Sequence, residues 1–326
     1  MKHLPFMDRL VVPLLVAPML RISGIELVLA ATSAGAIGAF PTANCGSLEE
    51  LDAWLTRLDE SAAASEGRNA PYCPNLIMRR DPALLKAEIE VITRHHTEIV
   101  ITSVGSPAAV IPILHESDCL VMADVASVHH AKRAIEAGVD GLVLLTAGAG
   151  GHTGWANPFA FVRAIRDIFD GPIVLAGGLS DGVALRAATV LGCDLGSMGT
   201  RFIATHESLA TVPYKQMLEQ STLDDVLLTR AFTGLPASFL RPSVVKVGLV
   251  PTDLDETVSV QEARARFGGG SQGPVIQRWA DLWSAGHSVS GVRRVMTVSD
   301  TVKSIASEFH SDDRVECAGT VSPSIG

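Results

Sequence analysis

The strongest constraint on the fold is an alternation of short apolar runs with stretches of helical periodicity, repeated eight times. The predicted strands are residues 11–17, 35–40, 73–77, 98–102, 119–124, 140–146, 172–176 and 195–199. The predicted helices are residues 24–33, 48–63, 82–95, 107–116, 127–137, 158–169, 181–191 and 205–219. Consecutive β-then-α units are typical of an α/β protein with a (β/α)8 TIM barrel. A doubly wound open sheet stays the alternative, because strand count alone does not establish closure.

The ends of two predicted helices are marked by local chemistry. Gly138 and Gly192 stand just past helices five and seven, where glycine commonly adopts the left-handed conformation that stops a helix. Ser180 and Asp181 offer a side-chain cap for the start of helix seven.

The alternation ends near residue 220, and the rest of the chain has another character. The segment that follows contains several prolines and ends in a glycine-rich run at 268–271, which suggests a hinged cap that closes over the barrel mouth. Helical patterns return at 276–286 and 298–309. We therefore predict a barrel at 1–220, a small, mostly helical cap domain at 221–275, and C-terminal helices returning to the barrel at 276–326.

Composition and charge limit the kinds of partner that we expect this chain to bind. A formal net charge of −9 argues against nucleic acid or an anionic membrane surface, since both require a basic face. No uninterrupted apolar stretch reaches the roughly 18 residues of a membrane span. The apolar run at 10–20 resembles a secretory signal, but Pro13 and Pro18 interrupt it, and we interpret it as the first strand. The five cysteines are scattered, which is typical of a reduced, cytoplasmic protein without a metal site or disulfide.

Glycine concentrates after predicted strands six, seven and eight. In a TIM barrel these strand ends form the active-site face, and loops seven and eight with a following helix N-terminus often bind phosphate. Glycine lets backbone N–H groups approach a phosphate closely, although it also makes tight turns. No G-x-G-x-x-G follows a strand, which disfavours a Rossmann-type nicotinamide site. We predict a phosphate cradle at Gly177, Gly178, Gly199 and Thr200.

These loops also carry a specific resemblance. Residues 149–154, AGGHTG, resemble the A-G-G-H-x-G motif of the nitronate monooxygenase family, and residues 172–208 resemble that family's long second motif. The likeness covers most of residues 11–240, with a weaker echo at 284–287. Further matching segments are Ala17-Pro18-Met19, Asn75 and residues 229–234.

The resemblance implies a TIM barrel with a small extra domain and tightly bound, non-covalent FMN. Met19 and Asn75 would lie near the flavin, Gly151 beside it, and the glycines of the last two loops at its phosphate. The full predicted cofactor set is Ala17, Pro18, Met19, Asn75, Asp124, Gly150, Gly151, Gly177, Gly178, Met198, Gly199 and Thr200.

His152 is the predicted catalytic residue. It follows strand six in a glycine-rich loop, and imidazole, with an ordinary pKa of about 6.5, can exchange a proton near neutrality. By the resemblance, His152 would face the substrate over the flavin ring. A histidine that only hydrogen-bonds its own loop is the structural alternative.

Several residues near the expected substrate depart from the family pattern. We predict substrate contacts at Ser103, Thr146 and His287. Asp124 ends strand five where a small residue is usual, and it could equally serve to bond backbone amides. This sequence has Gly148 where the family commonly has an acidic residue, and Thr146 where it has Gly. It has Asp124 where a small residue is usual, and His287 where Gln is frequent.

The resemblance implies oxidation of alkyl nitronates or nitroalkanes with O2 to carbonyl compounds and nitrite. FMN-dependent enoyl-ACP reductases share the A-G-G-H-x-G and M-G-T-R-F motifs, so an NAD(P)H-dependent enoyl-thioester oxidoreductase is the alternative. A non-catalytic flavin-binding protein is a third hypothesis, which the intact His152 loop disfavours. Arg79 and Arg80 follow strand three and could steer an anionic substrate, although exposed arginines are commonly solvated. Homodimer formation is left open.

Overall fold

A computed structural model describes residues 4–268 and 276–311. Its barrel strands are β1 Leu14–Val16, β2 Ile37–Pro41, β3 Tyr72–Ile77, β4 Ile99–Ser103, β5 Leu120–Val125, β6 Gly141–Leu145, β8 Ile173–Ala176 and β9 Leu195–Met198, with β7 (Gly151–His152) outside the barrel. These eight strands are parallel neighbours in chain order, and β9 pairs with β1 to close the barrel. The TIM-barrel prediction is confirmed, and the open-sheet alternative is wrong.

Helices follow the strands and cover the outside of the barrel. They are α1 Ile25–Ser33, α2 Leu48–Ala64, α3 Pro82–Arg94, α4 Ile111–His115, α5 Val128–Ala137, α6 Pro158–Arg166, α7 Gly182–Leu191 and α8 Thr200–Ile203. Gly138 and Gly192 end α5 and α7 in the left-handed conformation, with φ of 93° and 118°. Asp181 caps α7 by accepting a 2.8 Å hydrogen bond from the Ala184 amide. Both helix stops and this cap are confirmed.

The eighth predicted helix, at 205–219, is wrong in its extent. The chain instead forms α8 and then, after a break, α9 at Val212–Gln220. Pro213 stands in the first turn of α9. Proline is accepted there because the first helical N–H groups have no intrahelical acceptor, whereas inside a longer helix it would remove a hydrogen bond.

Side chains alternate between two apolar layers along each barrel strand. Leu15, Ile101 and Val174 fill the barrel interior, while Leu14, Val100 and Leu175 pack against the helices. This period of two is the geometry of a β-strand. We call the residues of each strand that point into the barrel its inward series, and the remaining residues its outward series. At the carboxyl end of each strand, the residues of the inward series face the barrel mouth.

The cap segment contains an antiparallel hairpin that the sequence pattern did not predict. Its strands, β10 Val226–Thr229 and β11 Ala237–Leu240, precede α10 Arg241–Lys246 and α11 Val260–Phe267. Strand β11 also pairs with β7, so that a three-stranded sheet joins the cap to the loop after β6. This pairing places the hairpin at the active-site face of the barrel.

The C-terminal part returns to the barrel through one helix. Helix α12, Val298–His310, packs against α7 and α1. The prediction of helix at 276–286 is wrong: those residues form turns and extended chain, with a short 3₁₀ helix at His287–Gly291. Most of the proposed glycine hinge and Cys317 lie outside the described residues. The cysteines at 45, 73, 119 and 193 are free thiols. Within the described ranges, no helix combines the length and apolar character needed to cross a membrane.

Candidate active site

A cavity of about 1060 Å³ opens at the carboxyl ends of the barrel strands. It is lined by inward-facing strand ends, the loops that follow them, and residues from the cap and the C-terminal part. Ligand pockets commonly measure roughly 300–1,000 Å³, so this cavity has room for a cofactor together with a second molecule.

The predicted phosphate cradle forms one side of this cavity. Gly178 has φ of +76°, and a Cβ built on it would meet no protein atom within 4 Å, so the backbone faces open space. The amides of Gly178, Gly199 and Thr200 donate to no acceptor among the described residues, and all three residues line the cavity. A cradle of unpaired N–H groups around an open glycine fits a phosphate.

Gly177 has a different role from its neighbour. Its φ is +132°, and a Cβ there would lie 2.4 Å from Thr146 Oγ1 and 3.1 Å from the Ala149 amide nitrogen. Glycine is therefore required at this position because the loops after β6 and β8 touch. Only Gly178 is open toward a ligand.

The opposite wall contains the polar ends of β3, β4 and β5. Ser103 Oγ donates to Asn75 Oδ1 at 3.3 Å, and Asn75 Nδ2 donates to the Ile101 carbonyl at 3.3 Å. Both side chains are buried, at 8% and 5% exposure. Ala17, Pro18 and Met19, which the sequence predicted to bind the cofactor, also line the cavity.

Asp124 is the single acidic residue among the described residues that line the cavity. Its side chain belongs to the inward series of β5, and no donor within the described ranges forms a hydrogen bond to its carboxylate. Removal from bulk water raises the pKa of Asp124 to about 7. The structure therefore favours a titratable cavity group over the alternative of a carboxylate that bonds backbone amides.

His152 is held at the edge of the cavity by the cap. Its backbone lies in β7 opposite Ala237 of β11, and its ring meets Trp279 edge-on, with centroids 5.8 Å apart. Desolvation, followed by the charge of Arg278, lowers the pKa of His152 to about 4. The imidazole is therefore neutral at physiological pH, with one nitrogen as donor and the other as acceptor.

Three predicted site residues do not line the cavity. Met198 lies on the outward series of β9 and packs with the helices, whereas its neighbour Ser197 faces the cavity. Thr146 is fully buried, and its hydroxyl donates to the Ala176 carbonyl at 3.0 Å. His287 is exposed and packs against Gly148, where a Cβ would lie 2.6 Å from its Nδ1. These corrections follow from strand phase and loop packing.

Some cavity residues come from beyond the barrel and were not predicted from the sequence. Ser284 accepts a 2.6 Å hydrogen bond from the Gly151 amide, and Tyr214 in turn accepts from the Ser284 amide at 3.0 Å. Trp279, beside His152, also lines the cavity. The motif echo at 284–287 was the only sequence signal for this segment.

The closed barrel and the glycine-lined cavity at the carboxyl ends of its strands define a TIM-barrel enzyme. The sequence profile of the nitronate monooxygenase family matches residues 5–308, and the chain belongs to that family.

Individual relatives differ in their named activities. A (3aS,4S,5R,7aS)-5-hydroxy-7a-methyl-1-oxo-octahydro-1H-indene-4-carboxyl-CoA dehydrogenase of Mycobacterium tuberculosis is 29% identical over 70% of this chain and 67% of its own length. A probable nitronate monooxygenase of Staphylococcus aureus is 24% identical over 68% of this chain and 65% of its own. FabK from Thermotoga maritima has a similar fold, with a TM-score of 0.75 at 24% identity, covering 93% of this chain and 94% of that one. The chain thus matches about two thirds of the length of these curated relatives.

Proposed function

We propose that the protein binds FMN and oxidises alkyl nitronates with O2 to carbonyl compounds and nitrite. The observation that carries this proposal is the position of His152 in the cavity wall, fixed by β11 and Trp279, where desolvation lowers its pKa to about 4. A base of such low pKa is poorly matched to removing a proton from a neutral nitroalkane, because general-base catalysis works best with a pKa near the working pH. A preformed nitronate needs no such proton transfer.

The residues of the chain support this reaction by binding and orientation. The amides of Gly178, Gly199 and Thr200 would hold the FMN phosphate. His152, fixed by β11 and Trp279, would donate a hydrogen bond to the anionic nitro group from its protonated ring nitrogen. When bound, FMN supplies the electron transfer between the nitronate and O2. Leu235 and Pro236, between β10 and β11, line the cavity and would reduce access of water to the reacting groups.

The test is an anaerobic titration of the purified flavoprotein. Propyl-1-nitronate, 1-nitropropane, NADH and NADPH are mixed separately with the protein, and loss of the flavin absorption is followed by stopped flow. We expect the nitronate to bleach the flavin fastest, and nitrite to appear after oxygen is readmitted. Bleaching by NADPH or NADH but not by the nitronate would reject the proposal.

The second candidate is an NAD(P)H-dependent oxidoreductase of enoyl thioesters. The size of the cavity favours it, because a thioester is much larger than a nitronate. The mycobacterial relative is named for a CoA substrate, which is consistent with this alternative. The same titration separates the candidates, since reduction by a nicotinamide followed by reoxidation with crotonyl-CoA would support the second.

A further inference from the structure

One edge of the cavity carries two arginines and a histidine that the proposed reaction does not use. Arg79 follows β3, and His130 and Arg133 project from α5; all three line the cavity and are exposed. We call these three residues the cationic rim. The chain as a whole has a formal charge of −9, opposite in sign to the charge of the two rim arginines.

The strand order places the cationic rim across the mouth from the phosphate cradle. The cradle follows β8 and β9, the last two strands of the closed barrel, whereas the rim follows β3 and β5. In a ring of eight strands, β4 lies opposite β9. A flavin phosphate in the cradle would therefore leave the rim free for another ligand.

The two arginines of the cationic rim have no carboxylate partner among the described residues. Arg80, next to Arg79, is paired with the buried Glu88, and Arg166 is paired with Asp194. Among the described residues, neither Arg79 nor Arg133 forms an ion pair or a side-chain hydrogen bond. Asp124, the acidic residue of the cavity, is unpaired as well, and the charges of Arg79 and Arg133 do not contribute to the shift of its pKa. Their guanidinium groups are thus available to a ligand.

We propose that the cationic rim binds an anionic group of the substrate, a carboxylate or a phosphate, remote from the carbon that reacts at the flavin. Arginine binds both anions through paired N–H donors, and His130 adds a further donor. This inference rests on the proposed function only in placing the reacting carbon in the same cavity. It distinguishes the substrate from simple alkyl nitronates, which carry a single negative charge on the nitro group.

Binding to the FMN-loaded protein tests the proposal without turnover. Anaerobic calorimetry would compare 3-nitropropionate with 1-nitropropane, which has a methyl group in place of the carboxylate, and would measure coenzyme A as the phosphate-bearing probe. We expect 3-nitropropionate or coenzyme A to bind at least about tenfold more tightly than 1-nitropropane, because of charge-assisted hydrogen bonds. The probe that binds identifies the anion as a carboxylate or a phosphate.

The double variant Arg79→Gln/Arg133→Gln should weaken that probe about tenfold or more and reduce the salt dependence of its binding. Lys132→Gln is the matched control, since Lys132 is an exposed cation on the same helix that does not line the cavity. It should leave affinity unchanged. Absence of binding of both anions, or equal affinity in the double variant, would overturn the proposal. If an anion binds through the rim while no nitronate bleaches the flavin, the proposed function fails and this inference stands.

Discussion

The amide of Gly151 donates a 2.6 Å hydrogen bond to Ser284 Oγ, although the two residues are 133 positions apart in the chain. This contact ties the loop that carries His152 to the segment beyond the cap. Together with the pairing of β7 and β11, it makes the position of His152 depend on residues outside the barrel.

Ser284→Ala should therefore impair catalysis as well as stability. Removal of the acceptor should cost about 1 kcal/mol of unfolding free energy. It should also lower kcat/KM for nitronate oxidation severalfold, because the His152 loop loses an anchor. Thr56→Ala, which removes an exposed helix-surface hydrogen bond to the Asp52 carbonyl, is the control and should leave kcat/KM unchanged. Thermal unfolding and steady-state kinetics check both effects, and equal kinetics in the two variants would contradict the expectation.

Gly178→Ala should weaken FMN binding more than its effect on the fold would explain. A left-handed non-glycine residue costs about 1–2 kcal/mol, and the added methyl group would occupy the open side of the cradle. Gly67→Ala is a close match, with φ of +74° against +76° and likewise no protein atom within 4 Å of the added Cβ. Both variants should lose similar thermal stability, but only Gly178→Ala should raise the Kd for FMN, measured by fluorescence titration. Unchanged FMN affinity in Gly178→Ala would show that the phosphate lies elsewhere.

His152→Ala should reduce kcat/KM for nitronates by roughly 10–100-fold, the value of one hydrogen bond to a charged group. Because the pKa of His152 is lowered to about 4, kcat/KM of the wild-type enzyme with nitronate should show no inflection near pH 6.5. FMN content should be retained, since the cradle lies in other loops. A pH profile of kcat/KM checks whether the inflection is absent. A wild-type inflection near pH 6.5 that disappears in His152→Ala would assign proton transfer to this residue instead.

The lowered pKa of His152 also links protonation to folding. The unfolded chain binds a proton at its ordinary pKa of about 6.5, whereas the folded state resists protonation until about pH 4. Stability from this group is thus complete above pH 6.5 and is lost as pH falls toward 4. His152→Gln, which does not titrate, should flatten this part of the stability curve in urea unfolding at pH 5 and 7.

Asp124→Asn should stabilise the fold at high pH. Desolvation raises the pKa of Asp124 from 3.8 to about 7, so between these values the folded state holds a proton that the unfolded state has released. Wild-type stability from this group therefore falls as pH rises from about 4 to 7, by a few kcal/mol at most. Asn removes that dependence. The difference in Tm between variant and wild type should grow from pH 5 to pH 8, and a constant difference would show that Asp124 does not titrate in this range.

Local patterns determined much of this protein. The eight βα units, the glycine stops at Gly138 and Gly192 and the loop motif around His152 were all readable, because strand period, helix capping and glycine geometry act over a few neighbouring residues. Met198 was misplaced because a run of apolar residues buried on both faces does not reveal which of its side chains point inward.

Tertiary structure alone decided how the site is completed. The pairing of β7 with β11, the contact of Trp279 with His152 and the anchoring of Gly151 by Ser284 join segments that are far apart in the chain. The opposite pKa shifts of His152 and Asp124 likewise arise from desolvation in an assembled cavity. Such properties depend on which groups surround a side chain in space and exclude water from it. The neighbours of a residue in the sequence do not specify those groups.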